Sequence, residues 1–352
     1  MSSVGADTTK KDIPTIAIVI PVYNGGDSFR RCLASLRQSQ SQPEELIVVA
    51  DGDSDGSWHV AETFGAQVIR LPGNKGPARA RNVGAQVARS DILFFIDADI
   101  TLHPDTISKV RRQFQEFPRL SALIGSYDDE PGARNFLSQY KNLFHHYTHQ
   151  TSSETASTFW GACGAVRRTA FIAVGGFDEG YRQPCIEDIE LGYRLIQQGN
   201  SIRLCKEIQV KHLKCWKMRS LLKAEIFYRS LPWTRLLLKI RHFKADLILN
   251  HTSRLSVVMV YLLAFSLMAS FWQVTWLLLA SSLSLGLLIL NVRVYRFFIN
   301  KRGWLFTLQV VPWHWFYFAY GGAAFAYSVI AHCLDQWRQK VLPHTQGIRQ
   351  SP

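Results

Sequence analysis

Short unbroken apolar runs alternate with stretches of helical periodicity through the first hundred residues. Residues 15–22 read as a buried strand closed by the turn Tyr23-Asn24-Gly25-Gly26, and Phe29, Cys32, Leu33 and Leu36 then recur at helical spacing. Residues 46–49 form a second strand running into Asp51-Gly52-Asp53-Ser54-Asp55-Gly56. A short helix over 58–64, a third strand over 67–70, a helix over 78–88 and a fourth strand over 92–96 complete the series. Continuous apolar strands separated by helices predict an α/β fold, a mostly parallel sheet with helices on both faces. Ligands of such sheets sit beyond the carboxyl ends of the strands, so Asn24, Asp51, Gly73-Asn74-Lys75, Asp97 and Asp99 are expected to line one pocket.

Past residue 105 the pattern loosens. Strands are expected over 121–125 and 208–212, helices over 134–147, 168–174 and 187–198, a polar loop over 151–157 and a small-residue apolar run over 159–166. Gly175-Gly176 and Gly199 stop the last two of those helices.

After Arg254 the character changes. Residues 255–290 carry no charge, and at ~1.5 Å per residue they far exceed one crossing of a ~30 Å hydrocarbon layer. Two short spans fit better, 255–271 and 274–290, turning near Trp272-Gln273 at an interface. A third apolar stretch, 304–331, is interrupted by Pro312 and His314 and carries Gly321-Gly322. Between the two parts, 216–250 mixes Lys217, Arg219, Lys223, Arg229 and Arg235 with Trp216 and Trp233, the composition of amphipathic interfacial helices. Arg241, Lys244 and Arg254 precede the first span, and Arg293, Arg296, Lys301 and Arg302 follow the second, which places both ends inside. Residues 1–14 are polar, are expected to be disordered and lack the apolar core of a secretory signal. The expectation is a multi-pass protein of the inner (plasma) membrane with its N-terminal domain, 15–215, in the cytoplasm. A third full span would carry the tail, 332–352, to the other side; a re-entrant third stretch would not.

Composition refines this picture. A mean hydropathy near zero with 47% hydrophobic residues averages two unlike parts. The net charge of +13 has no nucleic-acid-reading motif around it, so anionic membrane lipid is the expected partner and nucleic acid is not. Cys32, Cys163, Cys185, Cys205, Cys215 and Cys333 show neither C-x-x-C pairing nor zinc-like spacing, and are expected to be reduced and mostly buried.

Chemistry concentrates where the fourth strand ends. Asp97-Ala98-Asp99 closes the run Ile92-Leu93-Phe94-Phe95-Ile96, and two acids delivered there make a hard-oxygen site for a divalent cation and, through it, a diphosphate. The same pair could equally open a turn or cap a helix, as Asp105 after Pro104 could. Asp128-Asp129-Glu130 reads as a solvated turn. His145 and His149 stand four apart on a helix without a third metal ligand nearby.

Taken in order, Ile20-Pro21-Val22-Tyr23-Asn24, the Asp51–Gly56 segment, Asn74-Lys75-Gly76-Pro77-Ala78-Arg79-Ala80-Arg81-Asn82 and Asp97-Ala98-Asp99 resemble the family 2 inverting glycosyltransferases of GT-A fold. Residues 161–168, Gly175-Gly176-Phe177-Asp178 and Glu187-Asp188-Ile189-Glu190 strengthen the likeness, which covers about residues 15–215. Ala50 and Asp53 depart from it, since an acid and a serine are usual there, and the Gln-x-x-Arg-Trp signature of processive synthases is absent. The resemblance implies a non-processive, metal-dependent transfer from a nucleotide-sugar donor to a lipid-linked or other membrane acceptor, or alternatively to a polyprenyl phosphate; a non-catalytic membrane scaffold of the same fold is the remaining alternative. It implies Asp99 as ligand of Mn²⁺ or Mg²⁺, Asp97 on the ribose or a metal water, and His212 as a third ligand or else a structural histidine. Asp51 would bind the donor base, Pro21, Tyr23 and Asn24 would line the nucleotide, and Lys75 and Arg81 would offer cations to base or phosphate. Asp188 is the candidate general base, because Glu187-Asp188 opens a helix whose dipole favours a carboxylate, with Glu187 orienting the acceptor. Trp160, beside Gly161, would stack on an acceptor sugar or lipid headgroup, or else be a core aromatic.

Overall fold

The computed structural model describes residues 13–240 and 251–341. The expected disordered N-terminus to residue 12, the interfacial segment 241–250 with Arg241 and Lys244, and the tail beyond 341 lie outside the described residues.

The chain divides into two compact units. The first comprises residues to Ala133 together with His149–Lys214, and the second comprises Arg134–Thr148 and the chain from Cys215 onward. The contiguous domain expected over 15–215 therefore gives up one segment to the second unit. That segment is most of a helix whose Tyr140 and Leu143 pack with Val294, Tyr295, Phe298 and Val310, so its apolar face is buried by later sequence.

In the first unit, β1 (Ile16–Val22), α1 (Gly26–Arg37), β2 (Glu45–Asp51), α2 (Ser57–Phe64), β3 (Gln67–Leu71), α3 (Pro77–Val87) and β4 (Ile92–Ile96) follow the expected alternation within a residue or two. β3, β2, β1 and β4 are parallel neighbours; the centres of β1, β2 and β4 are fully buried because helices cover both faces, whereas the edge strand β3 is partly exposed along its length. The helix after residue 105 and the strand within the 159–166 run were not expected, and neither were β5 (Ile100–Leu102), directly after the acidic pair, and the two-residue β7 (Thr155–Ala156) inside the expected polar loop. Between β5 and β7 lie α4 (Thr106–Glu116), β6 (Ala122–Tyr127) and α5 (Phe136–Thr151). β8 (Cys163–Arg167), α6 (Arg168–Ala173), α7 (Glu187–Gln197) and β9 (Ile202–His212) complete the unit. The sheet runs β3-β2-β1-β4-β8-β6-β9-β5, with β7 on β9. β8 enters antiparallel between β4 and β6, so the sheet is mixed beyond its parallel half. β9 begins six residues before the strand expected from the apolar run at 208, because it pairs with β6, β5 and β7 and buries alternate residues.

The second unit contains α8 (Met218–Lys223), a π-helical stretch (Ala224–Ser230), α9 (Leu231–Ile240), α10 (His251–Ala269), α11 (Trp276–Leu290) and α12 (Val292–Val341). α10 is long and apolar enough to cross a membrane: 19 residues, mean hydropathy 1.6, 22% buried. α11 and α12 pass the same test only together, across a bend of 66°. α12 itself breaks at Gly303, where φ is 81°, just before the expected third stretch. Pro312 does not end it. An ion pair between half-buried Lys141 and buried Glu225, at 2.7 Å, joins α5 to the π-helical stretch, where the sequence pattern suggests a surface-lying face.

All six cysteines are free, but only Cys32, Cys163 and Cys205 are buried; Cys215 and Cys333 are exposed.

A helix-interior glycine tests the packing of α7. Alanine normally stabilises such a position by about 1 kcal/mol, yet a Cβ on Gly192 would stand 2.2 Å from the backbone nitrogen of Phe159. Gly192→Ala is expected to lower stability by about 1–3 kcal/mol, read as a lower thermal midpoint; an unchanged or raised midpoint would contradict this close approach.

Candidate active site

Backbone geometry gathers the acidic motifs. β4 ends at Ile96, and the chain turns at once, with Ile100 N–H donating to the Asp97 carbonyl at 3.2 Å. β5 then pairs with the end of β9, Ile100 opposite His212, and Leu213 N–H donates to the Asp99 carbonyl at 2.8 Å. His212 is thereby fixed beside Asp99, with Nε2 3.6 Å from Oδ2.

The two aspartates have different partners. Arg81, on α3 and 4% exposed, donates Nη2 to Asp97 Oδ1 at 2.7 Å and Nη1 to Glu187 Oε1 at 2.9 Å. Glu187 Oε2 accepts from Cys185 N–H at 2.8 Å. One guanidinium therefore ties the end of β4 to the start of α7. Burial alone would lower the pKa of Arg81, but Asp97, Glu187 and Asp188 together raise it well above the ordinary arginine value. Asp188 follows on the first turn of α7, half-buried, and its Oδ2 accepts from Gly161 N–H at 3.0 Å. A Cβ on Gly161 would stand 3.0 Å from the Arg81 guanidinium carbon, so a small residue is needed where this loop passes.

For Asp99, burial pushes the carboxyl pKa up, but the charges of His212 and Lys214 outweigh it and hold the group at about 2. It is ionised across the physiological range. Its 3.6 Å separation from His212 is too long for a hydrogen bond and near the roughly 3 Å between adjacent ligands of an ion with ~2.1 Å bonds. Oxygen and imidazole nitrogen together suit Mn²⁺, and Mg²⁺ through the carboxylate. The pair fits a divalent cation. Asp97 does not complete a triad with it, since its Oδ1 compensates Arg81, and among the described residues no three His, Cys, Asp or Glu side chains stand at metal-holding spacing. An ion held here would take its remaining ligands from diphosphate and water, the usual arrangement for Mg²⁺.

On the opposite flank the loops after β1, β2 and β3 are stapled together. Asp51, 3% exposed, accepts from Lys75 N–H and Gly76 N–H, both at 2.8 Å, so it holds the 73–76 loop. Gly52 (φ 72°) presses on Gly73, whose carbonyl carbon would lie 2.5 Å from an added Cβ. Asn24, at a φ of 50°, accepts from Ser54 N–H at 2.8 Å, and Asp55 accepts from Gly26 N–H at 2.9 Å. Tyr23 and Lys75 are exposed, and Pro21 is half-buried.

Several expected roles change. The charge of Arg81, expected to be offered to base or phosphate, is compensated by two carboxylates. Glu187, 4% exposed, faces Arg81 and the Cys185 amide and is not placed to orient an acceptor. Trp160, 9% exposed, packs edge-on against Tyr127 and His149, so its ring is a wall and not an open platform. Asp128 is buried, within 3.2 Å of His103 and 3.7 Å of Lys211, so the acidic run is no solvated turn at its first residue. His149 is committed to the Gly125 carbonyl at 2.9 Å. Sequence reasoning missed Tyr127, whose ring stacks on His212 at 4.4 Å and 6°. An aromatic that closes a strand carries no sequence signal of its own; the pairing of β6 with β9 makes it visible.

Residues 17–175 match the model of glycosyl transferase family 2, and 141–216 match one described as the N-terminal domain of galactosyltransferase. The pre-mycofactocin glycosyltransferase of Mycobacterium tuberculosis is 29% identical over 223 residues, 60% of this chain and 46% of that protein. The O-antigen chain rhamnosyltransferase of Salmonella anatum is 24% identical over 237 residues, 63% of this chain and 74% of that protein. The chain thus spans about half the length of the first of these relatives. Among solved structures, a mannosyltransferase from Pyrobaculum calidifontis in complex with GDP-Man and Mn²⁺ aligns with TM-score 0.56 at 16% identity, covering 90% of this chain and 87% of that one. The first unit has the GT-A fold.

The Arg81 bridge makes a stability prediction. Arg81→Met would strand the Glu187 carboxylate in a buried pocket, at a cost of about 3–5 kcal/mol. Adding Glu187→Leu is expected to recover part of that loss in denaturant unfolding. A single variant as stable as the parent, or a double variant no better than the single, would contradict the bridge.

Proposed function

We propose that this chain, a glycosyltransferase carrying a family 2 domain over residues 17–175, moves one sugar from a nucleotide-diphosphate donor to a hydroxyl of a membrane-associated acceptor, inverting the anomeric carbon. The observation that carries the proposal is the shared guanidinium of Arg81, which sets the acidic end of β4 and the acidic start of α7 around one site.

Direct displacement needs a base on the acceptor side and charge compensation on the leaving-group side. Asp188 is the base. Gly161 N–H donates to its carboxylate at the start of α7, and it takes the hydroxyl proton as the acceptor oxygen bonds the anomeric carbon and the bond from carbon to diphosphate oxygen breaks. Glu187 and Arg81 act by position, keeping Asp188 and Asp97 in one frame. Asp51 acts likewise, shaping the 73–76 loop against which the nucleotide would lie, with Tyr23, Asn24 and Lys75 at its edge. Asp99 and His212 would hold Mn²⁺ or Mg²⁺, which when bound neutralises the diphosphate that leaves with the nucleotide.

A membrane setting is supported by α10 and by the turn after it, where Phe271 and Trp272 are 90% and 86% exposed. Exposed Lys217, Arg219 and Lys223 flank exposed Met218 on and before α8, a surface suited to anionic lipid. We place the second unit in the plasma membrane and the first on its cytoplasmic side.

The test is nucleotide release by the detergent-purified chain from a panel of nucleotide sugars, with and without Mn²⁺. Release from one donor, lost on chelation, is expected; none from any donor would overturn the assignment. Asp188→Asn is expected to slow transfer about 10²–10⁴-fold while leaving binding of the donor's nucleotide diphosphate intact. Full turnover by that variant would remove the hydroxyl acceptor, because a phosphate acceptor needs no base.

A further inference from the structure

We infer that Tyr127, backed by Trp160, is a positioning residue that sets the plane of the His212 ring and thereby the strength of divalent-cation binding. The inference rests on the reading of Asp99 and His212 as the cation's protein ligands. An imidazole nitrogen donates its lone pair in the plane of the ring, so the ring's rotation decides where that pair points; partners that fix a ligating histidine are worth about 10–100-fold in metal affinity.

Here the fixing partner is a ring face. Tyr127 and His212 stack at 4.4 Å with planes only 6° apart, and Nε2 is left facing Asp99. Tyr127 is in turn held by the edge of Trp160 at 4.8 Å and 84°. Trp160 meets His149 at 5.4 Å and 76°, and His149 is anchored to the Gly125 carbonyl. The series starts at an irregularity in the sheet. Ile124 pairs with Leu204 but Ser126 pairs with Gln209, so β9 bulges away from β6 between those points and returns in a shifted register. That shift puts Val210 opposite Tyr127, and His212, two residues on, lies on the same face of its strand. An unbroken register would set Tyr127 beside an earlier part of β9 and leave His212 without a stacking partner from β6.

The role differs from general core packing because it predicts an effect on the cation and not on the fold. Tyr127→Leu removes the flat partner, whereas Tyr127→Phe keeps it and deletes only the hydroxyl. The experiment titrates the detergent-purified full chain with MnCl₂ in the presence of UDP and, separately, GDP, reading free Mn²⁺ by electron paramagnetic resonance, with thermal unfolding recorded alongside. For whichever nucleotide supports binding, His212→Ala and Tyr127→Leu are expected to weaken Mn²⁺ binding about tenfold or more, and Tyr127→Phe less than about twofold. Should Tyr127→Leu fail to fold, Trp160→Leu loosens the same stack from behind without touching His212, and is expected to weaken binding severalfold. Parental affinity in Tyr127→Leu, or in Trp160→Leu where that stands in for it, alongside a weakened His212→Ala overturns the positioning role and leaves the ligand assignment standing. Parental affinity in His212→Ala overturns both.

Discussion

A single buried cation organises the first unit. Arg81 is 4% exposed and touches acids from two distant parts of the chain, and such a charge is tolerated inside a protein only when compensated. Its two carboxylates are supplied by motifs 90 residues apart, Asp97 and Glu187, so the compensation is also a positional constraint. α3 carries the guanidinium, β4 carries one partner and α7 the other. Neither acid can shift without leaving charge unpaired. What the sequence presents as a binding cation and an acceptor-orienting acid is thus a frame, and the groups proposed to react are neighbours of that frame.

The antiparallel strand β8 makes that frame possible. In a purely parallel sheet a crossover returns the chain to the same end of the sheet before every strand. β8 instead descends between β4 and β6, so the loop before it, with Trp160 and Gly161, stands directly beyond the end of β4. Gly161 can then pass against Arg81 and donate to Asp188 in one step. Likewise β9 reaches past β6 to pair with β5, and this edge pairing delivers His212 to Asp99. In the proposed reading the parallel half of the sheet would present loops for a nucleotide, and the mixed half would bring in the groups for transfer.

This division marks what could be read from the chain. β1 to β4 and their helices were legible almost to the residue, because the fully buried strands β1, β2 and β4 leave unbroken apolar runs and the helices keep a strict period. The acidic motifs were legible as types in order. Their partners were not, since a side chain's neighbour depends on strand order and register, which periodicity does not encode. β5 is only three residues long and starts inside what reads as a turn, so nothing announced that Asp99 would face β9. The same holds for the second unit. The apolar stretches show in composition, but a charged pair such as Lys141 and Glu225 reads as surface until the helices that cover it are known.

The spacing of Asp97 and Asp99 shows how much a small departure from regular structure matters. Had β4 continued, residues two apart would project to the same face, both carboxylates would point one way, and Arg81 and a cation would compete for them. The strand stops at Ile96, the turn closed by Ile100 N–H intervenes, and the two side chains separate, one toward Arg81 and the other toward His212. The first compensates a fixed positive charge and is spent on structure. The second faces the His212 ring, and in the proposed reading the two would share a divalent ion. Two identical residues, one residue apart, acquire different chemistry because the backbone between them ceases to be extended.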